Sequence, residues 1–253
     1  MSTISAYTTV TNAIKNEYPI EESLRSVLMF ADEVMVVDGG SNDGTLELIA
    51  SINDSRIKVY HTEWLDTIGN GIYGITRSMG IGRCTSDWCV LFDADEVYHE
   101  NDIEKIKRIP LHMGEEIMAV KFNVLHFYQD YNHILNGYAE WKDLYTNKIY
   151  MVRNHMGIHH GNINGDPDNF LQCNGQPIPD SWTVLLDIIV YHYGHVKSPN
   201  VWLEKKNRMH KQWHPYHVLD FKDPYPIPLE SLKVFEGKHP GVMKNRMEIR
   251  NGN

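Results

Sequence analysis

Three carboxylates directly follow an apolar run in the segment WCVLFDADEVYHE, which covers residues 88–100. They belong to Asp93, Asp95 and Glu96. A buried strand that ends in clustered negative charge is costly unless a positive group lies beside it. Asp93 and Asp95 are two residues apart, and at that spacing extended backbone points both side chains the same way. Such a pair can hold a hard divalent cation, Mg²⁺ or Mn²⁺, which it would share with substrate phosphates.

A second acidic turn, VVDGGSNDGT, follows another apolar run at residues 36–45. Asp38 ends that run in the way that Asp93 ends the first. A carboxylate in this position can accept a hydrogen bond from a nucleobase, for example from N3–H of uracil. Gly39 and Gly40 leave room for a close approach of backbone. Taken alone, the same residues also fit a plain strand-to-helix turn that needs glycines and a cap.

The elements that position these turns alternate along the first hundred residues. Short apolar or β-branched runs predict strands in ISAYTTVTNAI, EVMVV, RIKVY and WCVLF. Helical spacing predicts helices in PIEESLRSVLMFA, TLELIASI and IYGITRSMGI, with Asp43 as the N-cap of the second. This alternation is typical of a parallel sheet with helices on both faces. Because ligands bind beyond the carboxyl ends of such strands, both acidic turns are expected to face one crevice.

The pattern changes after residue 110. Further strands are predicted in IMAVKFNVLHFY, KIYMV and VLLDIIVYHY, the first of them half-exposed because apolar and polar residues alternate. The long stretch GIHHGNINGDPDNFLQCNGQPIPD is predicted to be a functional or mobile loop. NVWLEKKNRMHKQWH predicts a late helix with EKKNR on its solvated face. The tail from about residue 215 holds five of the eleven prolines and is predicted to be irregular.

Bulk composition excludes some classes of function. The chain has 253 residues and a net charge of -9, which argues against general binding to nucleic acid or to an anionic membrane. Three scattered cysteines form no CxxC pair and favour a reducing compartment. The first residues lack the pattern of a secretory signal, and VLLDIIVY is too short to span a bilayer. These features predict a soluble, cytoplasmic protein without a transmembrane segment.

Taken in order, four segments resemble the family 2 glycosyltransferases, which have the GT-A fold. NEYPIEESLRSVL resembles the family's Asn-Glu lead into its first helix, and ADEVMVVDGGSNDGT its nucleotide-binding strand and turn. ITRSMGIG resembles its Arg-Asn helix, with Ser78 in place of Asn, and WCVLFDADE its DxD strand. The resemblance covers roughly residues 1–100 well and the rest more loosely. Their order and spacing make the set far more specific than any one segment.

The resemblance implies an α/β fold of GT-A type: a Rossmann-like, mostly parallel sheet flanked by helices, with a mixed-strand acceptor half and a C-terminal extension. We expect a single glycosyltransferase domain over residues 1–215. Within it, residues 1–110 form the nucleotide-binding half and residues 111–215 the acceptor-side half. Residues 216–253 are the irregular extension.

The resemblance also implies a nucleotide-sugar donor, with a UDP-sugar favoured, and Mn²⁺ or Mg²⁺ as the cofactor. Inversion at the anomeric carbon is the family's usual outcome, and the acceptor hydroxyl, on a glycan, a lipid or a protein, is not identified. In the nucleotide-binding half, Asp38 would meet the uracil and Arg77 would face the base or the phosphates. The chain near Ala13 would line the base pocket through its backbone.

The DxD turn receives its roles from the same resemblance. Asp93 would contact the ribose or the metal, Ala94 would lie against the nucleotide, and Asp95 would ligate the metal. A late histidine often contacts the metal or the diphosphate in this fold. VYHYGHVKSP offers His192 and His195 for that role, and His192 is preferred because related sequences have a His followed by an aromatic residue at this point.

The general base is less clearly marked. The family places an acidic residue before the last strand, where NGDPDNF offers Asp166 and Asp168 and PIPDSW offers Asp180. Asp166 is favoured because it follows Gly165 in a stretch that an acceptor could approach. An Asx-type turn before Pro167 would explain the same residue without catalysis.

Three other functions fit parts of the sequence. VLFDADEVY also fits a haloacid-dehalogenase-like phosphatase with Asp93 as the nucleophile, although 92 residues precede it and themselves match a nucleotide site. A catalytically degenerate protein that binds a sugar nucleotide or a glycan is a second alternative. A nucleotidyltransferase is disfavoured, because VTNAIKNEY has no glycine after the first strand.

Overall fold

The structure is a computed structural model, which describes residues 3–64, 71–135, 146–163, 166–172, 174–213 and 221–251. The strands are β1 Ile4–Val10, β2 Glu33–Asp38, β3 Ile57–His61, β4 Trp88–Leu91, β5 Glu96–Tyr98, β6 Ala119–Tyr128, β7 His133–Ile134, β8 Asn147–Arg153, β9 His159–Ile163, β10 Asp166–Leu171, β11 Thr183–His195 and β12 Lys233–Val234. The helices are α1 Ile20–Val27, α2 Thr45–Ser51, α3 Gly71–Ile81, α4 Ile103–His112, α5 Pro199–Trp213 and α6 Lys244–Asn251.

The first half of the chain forms the parallel part of the sheet. β1 pairs in parallel with β2 on one side and with β4 on the other, and β2 pairs in parallel with β3. β2 is buried along its whole length, as its unbroken apolar run predicts. The carboxyl ends of β1, β2 and β4 therefore lie at one edge of the sheet, and the prediction of a parallel α/β sheet is confirmed.

The second half of the chain makes the sheet mixed. β8 pairs antiparallel with both β4 and β6, and β11 pairs in parallel with β6. β11 also pairs antiparallel with β5, the short strand that follows the DxD turn. Consequently β11 connects the acidic turn of the first half with the strands of the second half.

Helices cover the two faces of the parallel part. Alternate residues of β1 point to opposite faces, so that Ala6 joins the cluster of α1 and α4 while Tyr7 joins the cluster of α3. α3 lies so close to the sheet that a Cβ on Gly80 would be 2.9 Å from the Tyr7 ring. This close packing fixes the position of Arg77, which lies one turn before Gly80 on the same helix.

The stretch predicted to be a loop over residues 157–180 contains a hairpin. β9 and β10 pair antiparallel, and the backbone of His160 exchanges two 3.1 Å hydrogen bonds with the Ser78 hydroxyl of α3. Backbone pairing requires no apolar alternation, so the Gly- and Asn-rich composition of the stretch concealed these strands.

Two further expectations need correction. The tail is not irregular throughout, because β12 pairs with β7 and α6 is helical over residues 244–251. The N-cap of α2 is Gly44, at a φ of 90°, and not Asp43. Asp43 still stabilises this helix start, because its carboxylate accepts hydrogen bonds from the N–H and the hydroxyl of Thr45. Within the described part of the chain, every helix is too short or too polar to cross a membrane.

Candidate functional site

A cavity of about 370 Å³ opens where β1 and β4 end. Its wall includes residues 9–12 at the end of β1, the DxD turn at 93–95 and Arg77 of α3. β11 contributes His192, and α5 contributes a further face. The fold thus brings Arg77, Asp93, Ala94, Asp95 and His192, all predicted site residues, around one cavity, although up to 115 positions separate them in the sequence.

Asp93 is held by two cations. Its Oδ1 accepts a 2.6 Å hydrogen bond from Arg77, and its Oδ2 accepts one of 3.0 Å from Lys148 of β8. Burial raises the pKa of the Asp93 carboxyl, but the charges of Arg77 and Lys148 outweigh burial and hold that pKa well below its usual range. Asp93 is therefore ionised and oriented, and both of its oxygens are engaged by the protein.

Glu96 supports this turn from inside the protein. It is fully buried, accepts a 3.0 Å hydrogen bond from the Asp93 N–H and one of 2.6 Å from the Tyr150 hydroxyl, and lies 3.0 Å from Lys148. Burial raises the pKa of Glu96 to about 7, against the charge of Lys148. The positive group that the acidic cluster requires is thus partly supplied by Lys148, which lies between Asp93 and Glu96.

Asp95 has looser partners. Its Oδ1 lies 3.7 Å from Nε2 of His192, and its Oδ2 lies 3.5 Å from Nζ of Lys205. Burial raises the pKa of Asp95, but His192 and Lys205 outweigh it and lower the pKa. Burial lowers the pKa of His192 to about 4, so its imidazole is neutral near pH 7 and can act as a ligand.

These donors fit a divalent cation. The Asp95 oxygens face the cavity at distances longer than close hydrogen bonds, and the Nε2 of His192 lies on the same side. Oxygen and imidazole donors together suit Mn²⁺, and oxygen donors alone suit Mg²⁺. Asp95 and His192 are therefore the residues that could hold the metal, while Asp93 is already held by Arg77 and Lys148.

Helix α5 supplies charges that the sequence analysis did not assign to the site. Lys205 and Arg208 line the cavity, so the prediction of a solvated face for EKKNR is wrong for these two residues. Burial disfavours the charge of Lys205, but Tyr18 and Asp95 outweigh it and raise its pKa above the ordinary value. No feature of the sequence separates Lys205 and Arg208 from the other charged residues of the same helix.

Part of the cavity wall is aromatic. The rings of Trp64 and Tyr73 meet edge to face with centroids 4.9 Å apart, and both residues line the cavity. A Cβ on Gly39 would lie 2.8 Å from the Trp64 ring, so glycine is required there to admit the indole. Such a wall can stack against a planar ring of a ligand.

Two residues predicted to bind the nucleotide do not line this cavity. Asp38 is buried, and its carboxylate accepts hydrogen bonds from the N–H groups of Gly40 and Ser41 at 3.0–3.2 Å. Ala13 is also buried, in the segment after β1 whose neighbouring residues do line the cavity. In the described structure Asp38 stabilises the turn, and its contact with a base remains a prediction.

The three carboxylates considered as the general base differ in what the structure shows of their positions. Asp180 is exposed and pairs with Lys121 at 3.0 Å, away from the residues that line the cavity. The backbone of Asp166 begins β10, but its side chain and that of Asp168 lie outside the described residues. The hairpin that carries Asp166 is hydrogen-bonded to Ser78 of α3, the helix that also carries Arg77.

Comparisons with known proteins concern the family and the fold of the chain. The family described as Glycosyl transferase family 2 matches residues 5–156, more than half of the chain. An uncharacterised glycosyltransferase of Rickettsia bellii is 28% identical over 144 residues, which is 55% of this chain and 46% of the relative. The SPbeta prophage-derived glycosyltransferase SunS of Bacillus subtilis is 23% identical over 72% of this chain and 38% of its own length.

The solved structures show the same fold. The crystal structure of TarS from S. aureus superposes with a TM-score of 0.51 at 17% identity, over 82% of this chain and 39% of TarS. The chain thus spans less than half the length of each of these three relatives. Because the family match covers more than half of the chain, including both acidic turns, α3 and strands β5 to β8, the chain belongs to glycosyl transferase family 2.

Proposed function

We propose that this protein transfers a sugar from a UDP-sugar to an acceptor hydroxyl with the help of Mn²⁺ or Mg²⁺. One observation carries the proposal: a single cavity joins an acidic pair, four cationic side chains and an aromatic wall. The cations are Lys15, Arg77, Lys205 and Arg208. An acidic pair alone would suit many metal sites, and a cationic face alone would suit any anion. Together with the aromatic wall, they match a nucleoside diphosphate bound with a divalent ion.

The diphosphate would lie between the DxD turn and α5. Sugar transfer passes through an oxocarbenium-like state, so the departing diphosphate must be stabilised. A divalent ion held by Asp95 and His192 would supply Lewis-acid stabilisation of that leaving group. Lys205 and Arg208 would neutralise the remaining charge through hydrogen bonds that need no reorganisation. Asp93, fixed by Arg77 and Lys148, would accept a hydrogen bond from the ribose.

The base would stack on the aromatic wall. Trp64 and Tyr73 present ring surface beside residues 11 and 12, where backbone groups can contact the base edge. Asp38 holds the neighbouring turn, and we retain it as the proposed acceptor of the uracil N3–H. Uracil is favoured over other bases through this carboxylate and the family resemblance.

Asp166 is the proposed general base. Support comes from the hairpin of β9 and β10, whose second strand begins at Asp166 and whose first strand is hydrogen-bonded to Ser78 of α3, the helix that carries Arg77. A base on that side would activate the hydroxyl from the face opposite the leaving group, which corresponds to inversion. We expect the Asp166→Asn variant to bind UDP as the unaltered protein does and to lose most sugar transfer.

Binding of UDP with metal tests the proposal most directly. We expect UDP with Mn²⁺ to raise the melting temperature, because a ligand that binds only the native state stabilises it. The Asp95→Asn variant should lose the Mn²⁺-dependent part of the UDP affinity, roughly tenfold or more in Kd by calorimetry. Asp180→Asn, at an exposed carboxylate, is the matched control and should bind normally.

Two results would contradict the proposal. One is the absence of UDP binding, with or without Mn²⁺. The other is the release of phosphate from an aryl phosphate, with loss of that activity in Asp93→Asn, which is the outcome expected of the phosphatase alternative. Nothing in the described fold or in the comparisons favours that alternative.

A further inference from the structure

Three imidazoles meet beside the candidate active site. His126 of β6 and His192 and His195 of β11 each offer a ring nitrogen, and these atoms all lie within 4.8 Å of one another. Nδ1 of His126 lies 3.0 Å from Nδ1 of His192, and the ring centroids of His192 and His195 are 5.5 Å apart. We refer to these residues as the histidine cluster.

The backbone of β11 is shaped to form this cluster. His192 is the register partner of His126, and the next pair is His195 with Tyr128, so β11 has one residue more than β6 over this stretch. In a regular strand, residues three apart point to opposite faces. The irregularity turns His195 toward the side of His192, as β-bulges near functional sites do.

Gly194 is the residue that permits this arrangement. A Cβ at this position would lie 2.6 Å from Oδ2 of Asp95 and 2.6 Å from Nε2 of His192. Any side chain would therefore displace either the carboxylate or the imidazole. The close approach leaves the two nitrogens of His192 facing different partners, Asp95 at Nε2 and His126 at Nδ1.

We propose that the histidine cluster is a transition-metal site that binds Zn²⁺ through His126, His192 and His195 when no nucleotide is bound. Three neutral imidazoles with one open position are a common ligand set for zinc. His192 would ligate through Nδ1 and donate its Nε2–H to Asp95, the carboxylate–histidine–metal arrangement that orients metal-bound histidines. The Asp95 carboxylate also reduces the repulsion between the bound ion and the ammonium group of Lys205, whose Nζ lies 3.5 Å from Oδ2 of Asp95.

This site differs from the one proposed for the donor-bound ion. That ion would be held by Asp95 and by Nε2 of His192 on the cavity side, whereas the cluster uses Nδ1 of the same ring on the other side. One imidazole cannot serve both ions in these tautomers, so Zn²⁺ and the donor-bound ion would compete for His192. The zinc site does not depend on the proposed function, because Zn²⁺ binding needs neither UDP nor turnover.

The test is titration of the metal-depleted, nucleotide-free protein with Zn²⁺ by calorimetry and with Co²⁺ by visible absorption. We expect one ion per chain and a visible spectrum that indicates a low coordination number for the bound Co²⁺. His126→Gln and His195→Gln should each weaken the Zn²⁺ affinity roughly 100-fold or more, since the loss of an outer-shell partner alone costs 10–100-fold. Asp95→Asn should weaken it only about tenfold, because Asp95 is an outer-shell partner here.

His112→Gln is the matched control, since this histidine lies at the exposed end of α4 and should not affect Zn²⁺ binding. His126 is buried, so the melting temperature of each variant without metal is measured first. If His126→Gln is unfolded, the more accessible His195→Gln decides the result. UDP binding with Mg²⁺ should persist in His195→Gln, which separates a failure of this site from a failure of the proposed function.

Three outcomes would overturn the proposal. The first is that the unaltered protein binds neither Zn²⁺ nor Co²⁺. The second is that His195→Gln binds Zn²⁺ as tightly as the unaltered protein. The third is that Asp95→Asn abolishes Zn²⁺ binding while His195→Gln retains it, which would place the ion at the acidic turn.

Discussion

At the scale of single residues, substitution of Trp64 tests the proposed nucleotide site. If its indole stacks on the base, Trp64→Ala should cost about 1–3 kcal/mol of UDP affinity, the usual contribution of one base–aromatic stack. Inorganic pyrophosphate has no base, so its affinity for the same variant should stay within twofold. Calorimetry with both ligands, in the presence of Mn²⁺, measures the difference.

Trp64→Phe provides the matched control, because it retains a stacking surface and the packing against Gly39. We expect it to recover most of the UDP affinity. An equal loss of UDP and pyrophosphate affinity in Trp64→Ala would show that the indole acts on the shape of the whole cavity and not on the base.

The residues that sequence analysis placed around one cavity share a property. Asp93 and Asp95 follow the end of β4 and Arg77 lies within α3, and each belongs to a short motif whose residue types and neighbours indicate its position. Lys205 and Trp64, which line the cavity, and Lys148, which holds Asp93, were missed because only the three-dimensional fold brings them to the site. A lysine on a helix or a tryptophan after a strand carries no sequence signal that distinguishes it from a surface or core residue.

At the scale of elements, the C-terminal extension holds the segment between β1 and α1. Glu17 lies in this segment at a φ of 53°, a left-handed conformation that costs energy for a residue with a side chain. Arg246 donates to the Glu17 carbonyl at 2.9 Å, and Arg250 donates to its carboxylate at 3.2 Å. Ser198 also donates to that carboxylate through its N–H and its hydroxyl.

These contacts predict that α6 influences donor binding without touching the donor. In the double variant of Arg246→Met with Arg250→Met, the segment of residues 12–18 should exchange its amide hydrogens faster, and the Kd for UDP should rise several-fold. The physical reason is that Lys15, Asn16 and Tyr18 of this segment line the cavity. Hydrogen exchange and calorimetry on the same samples measure both effects.

Arg25→Met is the control for the loss of a surface arginine, because Arg25 pairs only with Glu21 across one turn of α1 among its described contacts. It should change neither measurement. Should the double variant keep normal exchange at residues 12–18, α6 would have no role in holding the nucleotide wall.

The elements themselves were predictable to different degrees. The four strands and three helices predicted before residue 93 are present, because apolar runs or helical spacing bounded by turn residues mark each of them, whereas β5 and α4 were not predicted. β9, β10 and β12 did not show in the sequence, because they are short or polar and are held by backbone pairing to neighbours that the sequence does not identify. The helix α6 follows several prolines, and its attachment to Glu17 depends on residues about 230 positions away.

At the scale of the whole molecule, the two ends of the parallel sheet have separate tasks. The carboxyl ends of the strands carry the cavity. The amino ends carry a hydrogen-bond cluster centred on the buried carboxylate of Glu33, the first residue of β2, which also pairs with the half-exposed Lys58. Its carboxylate accepts hydrogen bonds from the hydroxyl of Ser5 in β1, from the N–H and hydroxyl of Thr85 before β4, and from Lys58 in β3. Glu33 therefore joins three neighbouring strands of the sheet at the end away from the site.

This separation predicts an acid sensitivity of stability that does not involve the cavity. Burial raises the pKa of the Glu33 carboxyl, but its hydrogen bonds, led by that from Lys58, outweigh burial and lower the pKa from 4.5 to about 2. A lowered carboxyl pKa stabilises the folded state above the unfolded pKa, and that stability is lost as the pH falls from 4.5 toward 2. The shift corresponds to at most about 3 kcal/mol, and solvent screening at the half-exposed Lys58 ammonium reduces this contribution. Urea unfolding at several pH values should therefore show a flatter decline for Glu33→Gln than for the unaltered protein. At pH 7 this variant should be less stable by a similar amount, with unchanged UDP affinity.

Glu104→Gln, at an exposed carboxylate of α4, is the control and should retain the full decline of stability with falling pH. If Glu33→Gln shows the same slope as the unaltered protein, Glu33 is not the source of the acid sensitivity.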